Sequence, residues 1–296
     1  MPPTRREFLA AAAAAGTLAA GAAAIEPIGR TRPSHLKLSL AAYSYRHLLE
    51  GPNRSMDLFA FADLAADMGL DAIEPTSYYF PPAAGLDECR RLHRHAFRLG
   101  LDISGTAVRN DFCLAPGPAR ERSLAGVRDW VDRAVALQAP VIRIFAGQVP
   151  RGDTEAAAVA RAIDGLRESV AYAGTRGVTL ALENHGGITA TPAQLLRLVE
   201  AVDSPWFGVN VDTGNFKTPD PYADLEHIAP YAVNVQVKTE ITRSEAGSKE
   251  PADLARLVEM LRRVRYSGYV VLEYEAAEDP LTAIPGHVAE LRRLIA

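Results

Sequence analysis

Val178-Thr-Leu-Ala-Leu-Glu-Asn-His-Gly-Gly187 is a short apolar run that ends on a carboxylate, an amide and an imidazole and then stops on two glycines. An apolar run of this length, bounded by turn residues, has the pattern of a buried strand. A strand that delivers Glu183, Asn184 and His185 at its C-terminal end has the layout by which parallel α/β folds present chemistry. Taken alone, the stretch is equally a strand end with polar turn residues. Its recurrence along the chain decides between the two.

From Leu36 onward, short β-rich runs alternate with longer segments of helical period, the signature of repeated βα units. The strand candidates are Leu36–Ala42, Ala72–Pro75, Asp102–Ala107, Val141–Phe145, Val178–Glu183, Phe207–Asp212, Val233–Lys238 and Tyr269–Glu273. Each is followed by a helix candidate, over 56–69, 87–99, 120–138, 154–176, 192–202, 221–229, 252–265 and 281–295. Ser55, Asp153, Thr191, Asp220 and Asp279 are placed to cap helix starts, and Pro192, Pro221 and Pro280 suit a first turn. Gly69, Gly100, Gly177 and Gly268 fall just past helix ends, where a positive φ is wanted. Eight βα units of similar length predict closure into a single (β/α)8 barrel over residues 36–296. No GxGxxG turn follows the first strand to favour a doubly wound dinucleotide fold.

The chain has 296 residues, 48% of them apolar, and no linker that divides it, so one large core is expected. A net charge of −4 offers no field for nucleic acid or an anionic membrane. Residues 1–24 stand apart. Thr4-Arg-Arg-Glu-Phe-Leu9 precedes an alanine-rich run from Ala10 to Ala24 and resembles a twin-arginine export signal, with Ala22-Ala23-Ala24 offering small residues for cleavage. The expected partners are therefore the twin-arginine export machinery and a neutral or small polar molecule, and the expected location is periplasmic or extracellular. Cys89 and Cys113 are too few for a disulfide framework.

The polar residues at the strand ends form a consistent set. Strand 1 leads into Tyr43, Ser44, Tyr45 and Arg46; strand 2 ends in Glu74; strand 3 leads to Arg109. Strand 4 carries Arg143, strand 5 Glu183, Asn184 and His185, and strand 6 leads through Asp212 to Asn215. Strand 7 alternates Asn234, Gln236 and Lys238, as an inward face should. Strand 8 ends in Glu273, Tyr274 and Glu275. Glu183, Asp212 and Glu273 thus meet at one rim with Gln236 between them, and three such acids repel unless a cation joins them. A divalent metal resolves the conflict. The oxygen-rich set favours Mn²⁺ or Mg²⁺, with Co²⁺ and Zn²⁺ as alternatives if His185 ligates.

Ile73-Glu74-Pro75, Leu182-Glu183-Asn184-His185, Asn210-Val211-Asp212-Thr213-Gly214-Asn215, Val235-Gln236-Val237-Lys238 and Leu272-Glu273-Tyr274-Glu275 together resemble the sugar phosphate isomerase/epimerase family of xylose isomerase-like TIM barrels. The resemblance covers essentially residues 36–296. It implies that Glu183, Asp212 and Glu273 bind one divalent metal and that the two glutamates also move protons. The fourth ligand position departs from the pattern: many relatives have a His-Val-Lys-Asp type strand, and here it reads Gln236-Val-Lys-Thr239. An amide oxygen still ligates a hard metal, so Gln236 completes the expected set. Endonuclease IV shares the barrel, but histidines of its zinc cluster are replaced here by Asn215 and Gln236, which with the negative charge argues against DNA repair.

The chemistry this implies is proton abstraction next to a carbonyl, with a metal-stabilised enediolate. Glu183 and Glu273 are the expected acid and base, Lys238 steadies the oxyanion, and Glu74, Arg109, Asn184 and Asn215 contact substrate, with Arg46 and Arg143 as weaker candidates. His185 divides the hypotheses. An epimerase needs it only as a hydrogen-bonding group, whereas a lyase or hydrolase acting on a 3-keto-glycoside uses it as acid or base for β-elimination. A sugar-binding barrel without turnover is the third reading. An exported enzyme favours a free sugar, keto-sugar or glycoside over a sugar phosphate. Tyr78, Tyr79 and Phe80 resemble a sugar-stacking lid, Trp206 is a candidate wall of the pocket, and 240–249 reads as a loop or lid.

Overall fold

The computed structural model describes residues 26–52 and 54–296, so the expected export signal lies outside the described residues. In chain order the strands are β1 (Leu36–Ala41), β2 (Ala72–Glu74), β3 (Asp102–Ile103), β4 (Thr106–Ala107), β5 (Val141–Ile144), β6 (Thr179–Glu183), β7 (Phe207–Asp212), β8 (Ala232–Val237), β9 (Glu240–Thr242), β10 (Lys249–Pro251) and β11 (Gly268–Leu272). Nine of them form one parallel sheet in the order β3-β2-β1-β11-β8-β7-β6-β5-β4. Only β9 and β10 stand outside it, as an antiparallel hairpin. The segment expected as a loop or lid is therefore this hairpin.

Closure rests on the third stave, which is split where one strand was expected. β3 pairs with β2 and β4 with β5, and a bridge between Thr76 and Ala107 joins the two halves of the ring. The break falls at Ser104-Gly105. A Cβ on Gly105 would lie 2.8 Å from Val141 Cγ1 and 3.3 Å from Glu74 Oε2, so only glycine lets the staves converge here. Ser104 fixes the crossing point by hydrogen-bonding Ser39 Oγ at 2.7 Å and the Ile73 carbonyl at 3.2 Å.

The helices that cover the barrel are α1 (Arg46–Leu49), α2 (Leu58–Asp67), α3 (Leu86–Arg98), α4 (Pro118–Leu137), α5 (Glu155–Thr175), α6 (Pro192–Val202), α7 (Pro221–Ile228), α8 (Leu254–Arg263) and α9 (Pro280–Ile295). Thr191 and Gln194 form a reciprocal capping box at α6, and Asp220 and Asp279 cap α7 and α9, each helix opening with proline. Two expected caps shift along the chain. α2 begins after Asp57, whose Oδ1 takes the Phe59 and Ala60 amides, because Ser55 is tied through its own amide to the Leu48 carbonyl. α5 is capped by Thr154, one residue beyond Asp153, which instead pairs with Arg161. Gly69, Gly100 and Gly177 adopt φ of 66°, 79° and 71° just past their helices, as expected.

The apolar core sits between staves and helices. Leu38, Leu40, Leu180, Leu182, Val209, Val211, Val235 and Val237 point into it, with Trp130, Leu166, Leu195 and Leu261 from the helices. Alternation sends their neighbours into the barrel: Ser39, Ala41, Ala181, Asn210, Asp212, Asn234 and Gln236. All seven are buried. The lumen is thus filled by small and polar side chains, which must satisfy one another or hold charge.

Candidate active site

Register places the polar residues at two depths. Asn210 pairs with Glu183 on β6 and with Asn234 on β8, Asp212 pairs with Gln236, Gln236 with Val271, and Ala41 with Glu74. The deeper layer is a closed hydrogen-bond network. Gln236 donates to Glu74 Oε1 at 2.6 Å and Asn234 to Glu74 Oε2 at 3.0 Å. Asn234 also donates to Asn210 Oδ1 at 2.8 Å, and Asn210 donates to Gln236 Oε1 at 2.7 Å. Burial, with the charge of Glu273 next, pushes the Glu74 carboxyl up to about 7, although the Asn234 and Gln236 amides favour its ionised form.

Above this floor are two charged groups. In the first, Arg143 Nε lies 2.9 Å from Glu183 Oε2, and Asn215 donates to Glu183 Oε1 at 2.8 Å. Arg143 also donates to the Val108 carbonyl and to the Tyr78 hydroxyl, and its guanidinium lies 4.0 Å from the centre of the Phe145 ring. In the second, the Lys238 ammonium is 2.7 Å from Glu273 Oε2, 3.1 Å from Glu275 Oε1 and 3.3 Å from Asp212 Oδ2. Asp212 Oδ1 accepts from the Gly214 amide, while Oδ2 has no hydrogen-bond partner.

The electrostatics differ between the two glutamates. Burial raises the Glu183 proton affinity well above the ordinary range, Arg143 opposes this, and the Asp212 and Glu273 charges reinforce it. Burial also acts to raise Glu273, but the Lys238 ion pair and hydrogen bond, helped by Arg143, outweigh it and hold the carboxyl below its usual value. Asp212 is pushed up to about 7 by burial against the pull of Lys238. Lys238 is itself held protonated: burial disfavours its charge, yet Asp212, Glu273 and Glu275 raise its pKa far above normal.

The rim carries the remaining expected residues. The His185 ring lies tilted 4.3 Å from that of Phe145, and desolvation of its imidazole, with the charges of Arg143 and Lys238, lowers its pKa. With Phe145, Asn110, Asp111, Gln148 and Thr189 it lines a cavity of about 160 Å³. Arg109 is exposed, with its guanidinium 4.8 Å from the Tyr78 ring centre. Asn184 is spent on structure, its amide donating to the Asp212 carbonyl and accepting the Asp212 N–H, both at 2.9 Å. Asn110 straps Phe145 in the same way, at 2.7 and 2.9 Å.

Two aromatic expectations are corrected. Trp206 precedes β7 and so stands at the opposite end of the barrel from the site, packed on Gly174 of α5. Tyr79 and Phe80 are buried, Phe80 against Trp130 at 5.3 Å, which leaves Tyr78 as the ring of that trio facing the charged groups. Nothing in the sequence marks Phe145, because an aromatic closing an apolar strand reads as core.

A barrel with its polar cluster at the strand ends matches the profile of the xylose isomerase-like TIM barrel family over residues 62–294. The chain belongs to that family. Among relatives of this xylose isomerase-like barrel, L-ribulose-5-phosphate 3-epimerase of Escherichia coli is 30% identical over 129 residues, 41% of this chain and 45% of that protein's length. Among solved structures, 3-keto-D-glucoside 4-epimerase from Escherichia coli superposes with a TM-score of 0.69 at 16% identity, covering 88% of this chain and 99% of the other. D-psicose 3-epimerase from Clostridium cellulolyticum with D-tagatose gives 0.66 at 16% identity, over 86% and 89%. The solved structures establish the shared fold.

The donor set tests the divalent metal that the resemblance implies. Among the described residues no group of three or more His, Cys, Asp or Glu side chains is arranged so that it could hold a metal ion. Glu183 is engaged by Arg143 and Asn215, Gln236 Oε1 already accepts from Asn210, and an ammonium stands between Asp212 and Glu273. So arranged, the side chains do not fit a resident ion.

Proposed function

We propose that this chain is a sugar or keto-sugar epimerase or isomerase that moves a proton on and off the carbon beside a carbonyl. The observation that carries the reading is the opposed setting of two buried glutamates. Glu273, kept ionised by Lys238, is the base; Glu183, with its raised proton affinity, is the acid that returns a proton. Carboxyls driven apart in this way divide the acid and base roles at one pH. The Lys238 ammonium is the hydrogen-bond donor for the oxygen on which negative charge develops. Arg143 orients Glu183, while Tyr78, Arg109 and His185 at the rim meet substrate hydroxyls. The relatives named for epimerisation support this reaction class. Residues 1–24, read as a twin-arginine export signal, favour a substrate without phosphate.

A second reading draws on His185, whose lowered pKa favours the neutral imidazole and which stands beside the Phe145 cavity. There its neutral imidazole is placed to take the proton beside the carbonyl of a 3-keto-glycoside and, as imidazolium, to hand it to the departing oxygen, which makes the enzyme a lyase. Incubation with a panel of ketoses and 3-keto-glycosides separates the two. Epimer formation is expected; release of the aglycone with no epimer overturns the epimerase reading in favour of elimination.

A further inference from the structure

We propose that Lys238 is the built-in cation of this site: its ammonium takes the place between Asp212 and Glu273 that a divalent ion would need, and the two exclude each other. Three carboxylates converge on Nζ, Glu273 at 2.7 Å, Glu275 at 3.1 Å and Asp212 at 3.3 Å. The lysine is 7% exposed. A buried ammonium is stable only with such charge-paired, hydrogen-bonded partners, and removing it leaves those partners uncompensated.

The surroundings hold the lysine stem in place. The Lys238 amide donates to Thr213 Oγ1 at 2.9 Å. At Gly214 a Cβ would lie 2.7 Å from Lys238 Cγ and 2.8 Å from its Cβ, so the stem occupies the space a side chain at 214 would fill. On the same strand, Gln236 has its amide spent on Glu74 and Asn210. β8 therefore carries a satisfied amide, and the ammonium just past its end stands at the rim above it. A single positive charge with hydrogen-bond donors serves a developing oxyanion without an ion to be loaded, so turnover is expected to survive chelation. That consequence rests on the proton-transfer reading; the exclusion of metal does not.

The test is calorimetric titration of chelator-treated full-length protein with Mn²⁺ alone, for the wild type, Lys238→Met and the more conservative Lys238→Gln. The wild type is expected to show no saturable site below about 1 mM, and the variants one site at least about tenfold tighter. Mn²⁺ is also expected to raise the melting temperature of the variants and leave that of the wild type unchanged. Stoichiometric micromolar binding by the wild type, or variants that bind no better, overturns the proposal. If neither variant folds, the wild-type titration decides it alone. Because no substrate is present, these results are independent of whether the enzyme epimerises sugars.

Discussion

Glu74 is a carboxyl without access to water, its two oxygens held by Gln236 and Asn234. Its folded value of about 7 exceeds the ordinary 4.5, so between those values the folded protein holds a proton that the unfolded chain releases. Stability is therefore lost as pH rises through this window, by about 3 kcal/mol from Glu74. Asp212, also raised to about 7, adds to the slope, and the lowered Glu273 subtracts from it only at acid pH. The melting temperature is expected to fall between pH 5 and pH 8, and Glu74→Gln is expected to flatten that fall. An unchanged slope in the variant would refute the assignment. The amide's lost hydrogen bond shifts both ends of the curve equally. At this scale the sequence shows Glu183, Asp212, Glu273 and Lys238 by strand position. It does not show their pairing, because alternation gives a face of the strand and not the direction of a long side chain; Asn184 and Gln236 were readable as site residues, yet both amides are occupied within the fold.

The eight βα units are legible because each strand is a short apolar run followed by a helical period. The split third stave is not, since Asp102–Ala107 reads as one continuous run and only the convergence of β2, β3, β4 and β5 in space separates its halves. Gly105→Ala puts a methyl against Val141 at the crossing and is expected to cost about 1–3 kcal/mol, read as a lower midpoint in urea. A midpoint equal to that of the wild type would mean that the staves have slack there. The cap shifts at α2 and α5 have a similar origin: several polar residues precede each helix, and the backbone bond from Ser55 to Leu48 selects among them.

The polar lumen follows from the whole ring, since each stave contributes one or two small or polar residues inward and only closure brings them together. The expected export rests on the twin-arginine stretch of residues 1–24. Replacing Arg5 and Arg6 with lysine is expected to retain the protein in the cytoplasm, checked by fractionation; unchanged export would remove the argument for an unphosphorylated substrate. The central claim, that buried glutamates move a proton beside a sugar carbonyl, is tested most directly by NMR of a ketose panel in D₂O with the wild type and Glu183→Gln. The expected result is deuterium entering at the carbon next to the carbonyl with the wild type, and a loss of at least about 100-fold in epimer formation in a folded Glu183→Gln. Full-rate epimerisation by Glu183→Gln, or no exchange into any ketose with the wild type, would contradict it.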